Sequence, residues 1–272
     1  MKILVTGHKG YIGNKLFSKL INLGHDVIGI DLKEGKDIQH CLPEGRFDFV
    51  FHLAALPSVQ YSVENPSYTM KQNVLSSSVL LEWCVKNKIK RMIFSSSAAA
   101  LEPKSPYGLQ KKMTEMECKL FSGLYSLDTV CLRYYNVYSE DQGFTGPYST
   151  VISHWMNSVK NRDALFMDGD GEQTRDFIHL DDVIEANIFC MDSEVNFHGK
   201  VLDVGTGHEI SLKQIKFYID QNNAVSWLHR PQRVGDIKKS KSNPSELIKM
   251  GWYPKVSIKE GIKRCFKKGV TK

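Results

Sequence analysis

Tyr107 and Lys111 stand four residues apart in Ser105-Pro106-Tyr107-Gly108-Leu109-Gln110-Lys111, about a hundred residues after a Thr6-Gly7-x-x-Gly10-x-x-Gly13 loop. Proline suits the first turn of a helix and positions four apart share a face, so the Lys111 ammonium can lie beside the Tyr107 phenol. A free phenol ionises near pH ~10, and a base working at neutral pH needs a shift of about three units, or roughly 4 kcal/mol. One ammonium about 4 Å away, at an effective dielectric of about 20, supplies roughly that much. A cationic nicotinamide acts in the same direction. Tyr/Lys pairs at this spacing also occur on ordinary surface helices. The glycine loop is what points this pair toward redox chemistry, with a bound dinucleotide and a proton-transferring phenol beside it.

The elements that must position the pair can be read upstream. Lys2-Ile3-Leu4-Val5-Thr6 reads as a buried parallel strand, and Leu16, Leu20 and Leu23 give the stretch after the loop an amphipathic helical face. Glycines at 7, 10 and 13 allow a tight turn and close approach of backbone to a pyrophosphate at the helix N-terminus, with Tyr11 and Ile12 in its first turn. Alone the pattern is weak, since turns also collect glycine. A second strand, Val27-Ile28-Gly29-Ile30, ends in Asp31, eighteen residues past Gly13 and placed to accept from the adenosine ribose hydroxyls. That carboxylate repels a 2′-phosphate, which favours NAD over NADP.

Further strands are predicted at 47–53, 91–95, 129–133 and 201–204, mostly with helical segments between them. The alternation implies a parallel sheet with helices on both faces. At 272 residues and 42% hydrophobic, the chain can form one α/β unit with a small appended lobe. Six dispersed cysteines without Cys-x-x-Cys, and nine histidines without ligand spacing, predict neither disulfides nor a metal site. The N-terminus begins as a strand, not a signal sequence, and no apolar run approaches the ~20 residues that span a bilayer. A soluble, cytoplasmic protein with no membrane partner is expected. The net charge of +6 comes from dispersed basic residues, apart from Lys238-Lys239-Ser240-Lys241 and a lysine-rich C-terminus. Solvated faces account for it better than nucleic acid, and it suits a phosphate-bearing substrate. Asp182 and Glu185 have capping-box spacing and predict a helix start. Asp168-Gly169-Asp170-Gly171 predicts a turn, because it lacks the later ligands of a calcium loop.

Other segments add to the glycine loop and Tyr-x-x-x-Lys: Phe51-His52-Leu53-Ala54-Ala55, Ser95-Ser96-Ser97-Ala98, Leu132-Arg133-Tyr134-Tyr135-Asn136, the run from Gly169 to His179, and Arg233-Val234-Gly235-Asp236. With these, nearly the whole chain resembles the extended short-chain dehydrogenase/reductases of the nucleotide-sugar epimerase and dehydratase group. The resemblance implies an α/β, Rossmann-like, doubly wound parallel sheet with a small C-terminal substrate-binding lobe. Residues 1–136 would bind NAD and carry the catalytic residues; residues 137–272 would form mainly the lobe, with 176–204 returning to the core. It further implies that Asp37 and Ile38 border the adenine, that Leu53, Ala54 and Ala55 line the cofactor, and that Asn73 and Tyr134 lie near it. Ser97, with Ser96 as the alternative, would hydrogen-bond the reacting sugar hydroxyl alongside Tyr107. Asn136, Arg175 and Arg233, with Asp236, would hold the nucleotide diphosphate through charge-assisted contacts.

Sugar-nucleotide 4,6-dehydratases resemble this chain but place an Asp-Glu pair directly after the serine position, where Ala98 and Ala99 stand here. The glutamate usual in the second place of nucleotide-glucuronate decarboxylases is missing too. What remains suits a 4-epimerase. Tyr107, as phenolate, would take the C4 hydroxyl proton through or beside Ser97 as hydride leaves C4, and the ketosugar would turn over before hydride returns to its other face. In the epimerases resembled, the residue seven after the Arg of Arg-x-Gly-Asp gates the sugar pocket. Here it is Ser240, which implies room for UDP-N-acetylglucosamine as well as UDP-glucose.

The chain also departs from the pattern. The stretch from Ser97 to Tyr107 is short, Ala100-Leu101-Glu102 replaces the common Val-Tyr-Gly, and Pro57 stands where some 4-epimerases carry lysine. The segment from Asp31 to Asp37 leaves scant room for a third strand and its helix. Substrate specificity and any role of Glu102 stay open, as do a decarboxylase, dehydratase or reductase, or a non-catalytic NAD sensor that would have no need of a low-pKa phenol. Leu109, Met113, Met116, Leu120 and Leu124 form an apolar stripe nearly opposite Tyr107 and Lys111. Such stripes are commonly core, but the corresponding helices pair across a dimer interface in the family, so a homodimer is expected.

Overall fold

The computed structural model describes residues 1–144, 149–221, 223–232 and 238–267. The chain divides into two compact units, Met1–Tyr134 with Ile184–Asp203, and Tyr135–Val183 with Val204–Lys272.

The first unit starts with β1 (Lys2–Thr6), α1 (Tyr11–Asn22), β2 (Asp26–Ile30) and β3 (Phe49–His52). The helical stretch that follows consists of α2 (Val59–Glu64), α3 (Pro66–Met70), a π-turn at Lys71–Leu75 and α4 (Ser76–Lys86). Then come β4 (Arg91–Ser97), α5 (Pro106–Tyr125) and β5 (Asp128–Tyr134). Beyond these lie β6 (Asn136–Tyr138), α6 (Val151–Asn161), β7 (Leu165–Asp168), β8 (Thr174–Arg175), β9 (Phe177–His179) and α7 (Leu180–Asp192). The chain then forms β10 (Lys200–Val204), which joins the sheet of the first unit, and continues through β11 (Ile210–Ser211), α8 (Leu212–Asp220), β12 (Trp227–Arg230), β13 (Lys239–Ser240), α9 (Ser245–Met250) and α10 (Ile258–Cys265).

The main sheet has the order β10-β5-β4-β3-β1-β2, and its pairs from β2 through β5 are parallel. β1, β3, β4 and β5 are almost wholly buried, as strands covered on both faces must be, which explains their continuous apolar runs. Leu4, Val50, Phe94 and Cys131 pack there against Leu80, Leu81 and Cys84 of α4. Between β2 and β3 there is only a 3₁₀ turn at Leu32–Glu34, so the abbreviated segment leaves β2 at the sheet edge.

The second unit has its own core, in which Tyr138, Trp155, Leu165, Phe177, Ile215 and Ile262 come together. Three strands run in the order β11-β8-β13, and β7 pairs in parallel with β12. Asp182 corrects the capping-box expectation. α7 already begins at Leu180, and the Asp182 carboxylate instead accepts from the Lys255 and Val256 amides at 2.8 and 3.0 Å. The Asp168–Gly171 stretch is a turn, with Gly169 and Gly171 at φ +69° and +77°.

Candidate active site

The glycine loop leaves β1 through Gly7, whose φ of +76° is costly for any side chain. Its amide donates to Ile30 O at 2.8 Å, and a Cβ there would lie 2.6 Å from Ala54 N. A Cβ on Gly13 would lie 2.1 Å from Gly7 O, so α1 can press on the turn only because Gly13 lacks a side chain. Gly10 is the N-cap of α1 and contributes no side-chain cap, and the helix opens with Tyr11 and Ile12, an end whose dipole favours an anion. At the end of β2, buried Asp31 accepts from the amides of Lys9 and Lys33, each at 2.9 Å, one on each oxygen. Each oxygen keeps a lone pair for a ribose hydroxyl. Asp37 accepts from Gln39 N at 2.9 Å within its own turn, and Ile38 packs in the core beside Ile30 and Phe47.

Nothing in the sequence pattern marked His8. Its ring is buried, with its centroid 4.9 Å from that of Phe17, and its Nε2 lies 3.4 Å from Glu34. It occupies space that Gly29 vacates, because a Cβ there would lie 2.4 Å from the ring.

Ser105 caps α5 by accepting from Gly108 N at 3.2 Å, and Pro106 occupies the first turn. Tyr107 and Lys111 are both buried on this helix. Lys111 Nζ lies 6.0 Å from the Tyr107 ring centroid and 4.7 Å from that of Phe94, and it donates to Ser95 O at 2.7 Å. Burial pulls its pKa down to about 7, against smaller opposing effects of Cys131, Glu115 and Cys118. Gly108 lets the helix close on the 3₁₀ turn at Ala98–Ala100, since a Cβ there would lie 2.5 Å from Ala99 O. Ser97 caps that turn, accepting from Ala99 N at 3.2 Å, and is half-buried. Ser96 is buried and donates to Glu115 Oε1 at 2.7 Å; the same carboxylate takes both Arg133 Nε and Nη2 at 2.7 Å. Of the two serines, Ser97 is the more accessible hydroxyl.

Leu53 N donates to Thr6 O at 3.1 Å and Ala54 N to Thr6 Oγ1 at 3.3 Å, while Ala55 follows half-buried. Asn73 sits in the π-turn, an irregularity often found at functional sites. Its amide is committed inside the protein: Oδ1 accepts from Leu56 N at 2.7 Å, and Nδ2 donates to Leu56 O at 3.1 Å and to Gln110 Oε1 at 2.7 Å. Tyr134 donates to Asn187 Oδ1 at 2.9 Å, and burial raises its pKa, so it stays a neutral phenol.

In the second unit, the Asn136 amide N and Nδ2 both donate to Asp176 O, at 3.1 and 2.9 Å. Arg175 is half-buried in β8, with Nη1 donating to Thr174 O at 2.9 Å. Ser240, in β13, pairs in register with Arg175. Arg233 and Asp236 lie outside the described residues. Among the described residues no group of three or more His, Cys, Asp or Glu could hold a metal ion, and no helix is long and apolar enough to cross a membrane.

The glycine loop, the acid closing β2 and the buried Tyr-x-x-x-Lys helix fall within residues 3–205, which match the NAD dependent epimerase/dehydratase family. The chain belongs to that family. This epimerase/dehydratase is similar to a UDP-glucose 4-epimerase from Thermotoga maritima solved with UDP-glucose, at 32% identity and a TM-score of 0.85, with 98% of this chain and 97% of that one covered. It is similar also to a UDP-N-acetylglucosamine 4-epimerase from Methanobrevibacter ruminantium in complex with UDP-N-acetylmuramic acid, at 30% identity and a TM-score of 0.86, with 98% and 97% covered. A UDP-glucose 4-epimerase of Mycolicibacterium smegmatis is 28% identical over 306 aligned positions, covering 96% of each chain. That alignment is longer than the 272 residues of this family member, in keeping with its shortened segments.

Proposed function

We propose that the protein is an NAD-dependent nucleotide-sugar 4-epimerase acting on UDP-hexoses, N-acetylated ones included. The observation that carries this reading is the placement of buried Tyr107 and Lys111 on one helix, closed by Gly108 onto a turn whose residues after Ser97 are alanines. A phenol that moves a proton is present, whereas the places of the dehydratase acid and base are filled by methyl groups.

The first unit fits NAD. The start of α1, without a side-chain cap, suits the pyrophosphate, and Asp31 suits the ribose. Bound there, NAD supplies acceptance and return of a hydride. Tyr107 takes the C4 hydroxyl proton and later gives it back; Ser97 orients that hydroxyl; Lys111, when protonated, favours the phenolate. Arg175, with Arg233 and Asn136, grips the diphosphate away from the reacting carbon, so the ketosugar can turn while the nucleotide stays held. Ser240 leaves room for the substituent at C2.

The same reading makes the enzyme a cytoplasmic homodimer. In support, Leu109, Met116, Leu120 and Leu124 of α5 are exposed rather than core, and Met113 is half-buried among them. Incubating the purified protein and catalytic NAD with UDP-, GDP-, dTDP- and CDP-sugars, followed by proton NMR, tests the assignment. A C4 epimer without net cofactor change is expected, whereas a pentose, a stable ketosugar or no turnover would overturn it.

A further inference from the structure

Gln110 lies between Tyr107 and Lys111 in sequence and has no exposed surface. Its Oε1 accepts from Asn73 Nδ2 at 2.7 Å, and its Nε2 donates to Thr69 Oγ1 at 2.9 Å. Asn73 in turn holds both the N–H and the C=O of Leu56, in the loop that follows β3. A second line of bonds reaches the same asparagine. Ser77 Oγ donates to Asn73 O at 2.6 Å and meets His52 Nε2 at 2.8 Å; His52 Nδ1 meets Thr6 Oγ1 at 2.7 Å; and Thr6 Oγ1 accepts from Ala54 N.

The donor directions follow without ambiguity. Ser77 spends its proton on the Asn73 carbonyl, so His52 must donate from Nε2, and Nδ1 is left to accept from Thr6. This is a neutral imidazole, and burial, helped by the Lys111 ammonium, pushes the His52 pKa down to about 3. One oriented chain therefore runs from the Ala54 amide through Thr6, His52, Ser77, Asn73 and Gln110 to Thr69. It starts beside the glycine loop, and Gln110 joins the Tyr107 helix to both Asn73 and Thr69, one turn apart along α3 and the π-turn that follows it.

We infer that Gln110 is a positioning residue. It fixes the helix carrying Tyr107 and Lys111 against the Leu53–Leu56 loop, so that the phenol keeps its place relative to the cofactor wall. This rests on the expectation that Leu53, Ala54 and Ala55 line the cofactor and on the proposed role of Tyr107 in moving the proton. On the same helix Lys111 is bonded to β4 through Ser95 O, and Tyr107 N donates to Ser62 Oγ at 3.1 Å.

The test uses Gln110→Leu, which keeps the bulk and removes the bonds to Asn73, Thr69 and, at 3.5 Å, Pro66 O, and Thr69→Val, which removes the outer hydroxyl together with its own bonds to Asn65 O and Pro66 O. Hydrogen exchange of the Leu56 and Ala54 amides is read alongside epimerase kcat and KM, on full-length protein with NAD. For Gln110→Leu the expected result is exchange at both amides faster by at least about tenfold, with Leu4 in β1 unchanged. A kcat lower by about 10- to 100-fold at a KM within about twofold is expected with it. Thr69→Val should show the same pattern more weakly. Unchanged exchange at Leu56 and Ala54, or faster exchange with an unchanged kcat, would overturn the inference. If Gln110→Leu does not fold, Thr69→Val decides alone. Should wild-type protein turn over no sugar, the 4-epimerase reading falls; exchange and the NAD dissociation constant, expected to rise at least about fivefold in Gln110→Leu, then judge the tether.

Discussion

Ser240 and Arg175 are register partners on neighbouring parallel strands, and both are fixed by the residue between β8 and β9. Asp176 has no exposed surface and accepts five hydrogen bonds: from Thr206 N and Oγ1 at 2.8 and 2.7 Å, from Gly207 N at 2.9 Å, and from Ser242 N and Oγ at 3.2 and 2.5 Å. Strand β13 is thus tied, two residues beyond Ser240, to the residue that follows Arg175. A bulky side chain at 240 cannot be relieved by sliding the strand. Ser240→Tyr is therefore expected to lower kcat/KM for the N-acetylated UDP-hexose by at least about 100-fold while leaving the plain hexose within a few-fold. Equal losses on both sugars, measured by coupled assay, would remove Ser240 from the sugar pocket.

Lys111 offers a test by pH. An unfolded chain keeps this proton up to about 10.5, whereas the folded protein gives it up near 7. Between those values the unfolded state binds more protons, so stability rises with pH; below 7 the penalty for burying the charge is present in full, on the order of 5 kcal/mol. Lys111→Met removes that penalty but leaves Ser95 O without its donor, which costs about 1–3 kcal/mol. The stability of the variant relative to wild type, from urea unfolding without NAD, should hold level below about pH 7 and fall steadily from there to about pH 10. A difference that does not vary with pH would contradict a buried, easily neutralised lysine. Turnover should drop by about 10²–10⁴.

His8 and Gly29 should behave as a coupled pair. Gly29→Ala forces a methyl group into the His8 ring, and overpacking of this kind costs about 1–3 kcal/mol. Because His8 belongs to the glycine loop, NAD affinity should weaken together with stability. His8→Ala in the same chain should restore both, and calorimetric titration of NAD into the double variant checks it. Additive losses would show that the two residues do not share the space.

The open face of α5 predicts self-association. Leu120→Glu with Leu124→Glu should convert a dimer to a monomer by light scattering at micromolar concentration, with the helical signal retained. A wild-type protein that is already monomeric at that concentration would end the dimer reading.

What could be read from the chain alone was local or chemically constrained. Gly7 and Asp31 sit where few other residue types would serve, and Ser105 with Pro106 marks a helix start directly before Tyr107. Asp182 was misread because its partners, Lys255 N and Val256 N, lie more than seventy residues away, and the local spacing offered a plausible cap. Asn73 and His52 were legible through resemblance but the network joining them was not, and Gln110 left no signature, because the partners of these neutral groups lie 25 to 46 residues distant. The α5 stripe was visible as a pattern, but periodicity cannot tell a face that meets a core from one that meets solvent.

Arg91, the first residue of β4, points its guanidinium at chain made a hundred residues later. It bonds Asp128 Oδ2 at 2.5 Å and the carbonyls of Cys190, Ser193 and Val195 at 2.5, 2.8 and 2.6 Å, where α7 ends. A ribosome that has released only residues 1–134 has delivered the glycine loop, Tyr107, Lys111 and Asp128, but not the carbonyl acceptors that complete the bonding of this buried cation or the strand that pairs with β5. The half that looks self-sufficient cannot mature in the order it is translated. It must wait for the second unit to begin and for residues 184–203 to emerge, so a fragment ending at 136 should be recovered as an aggregate rather than as a small NAD-binding protein.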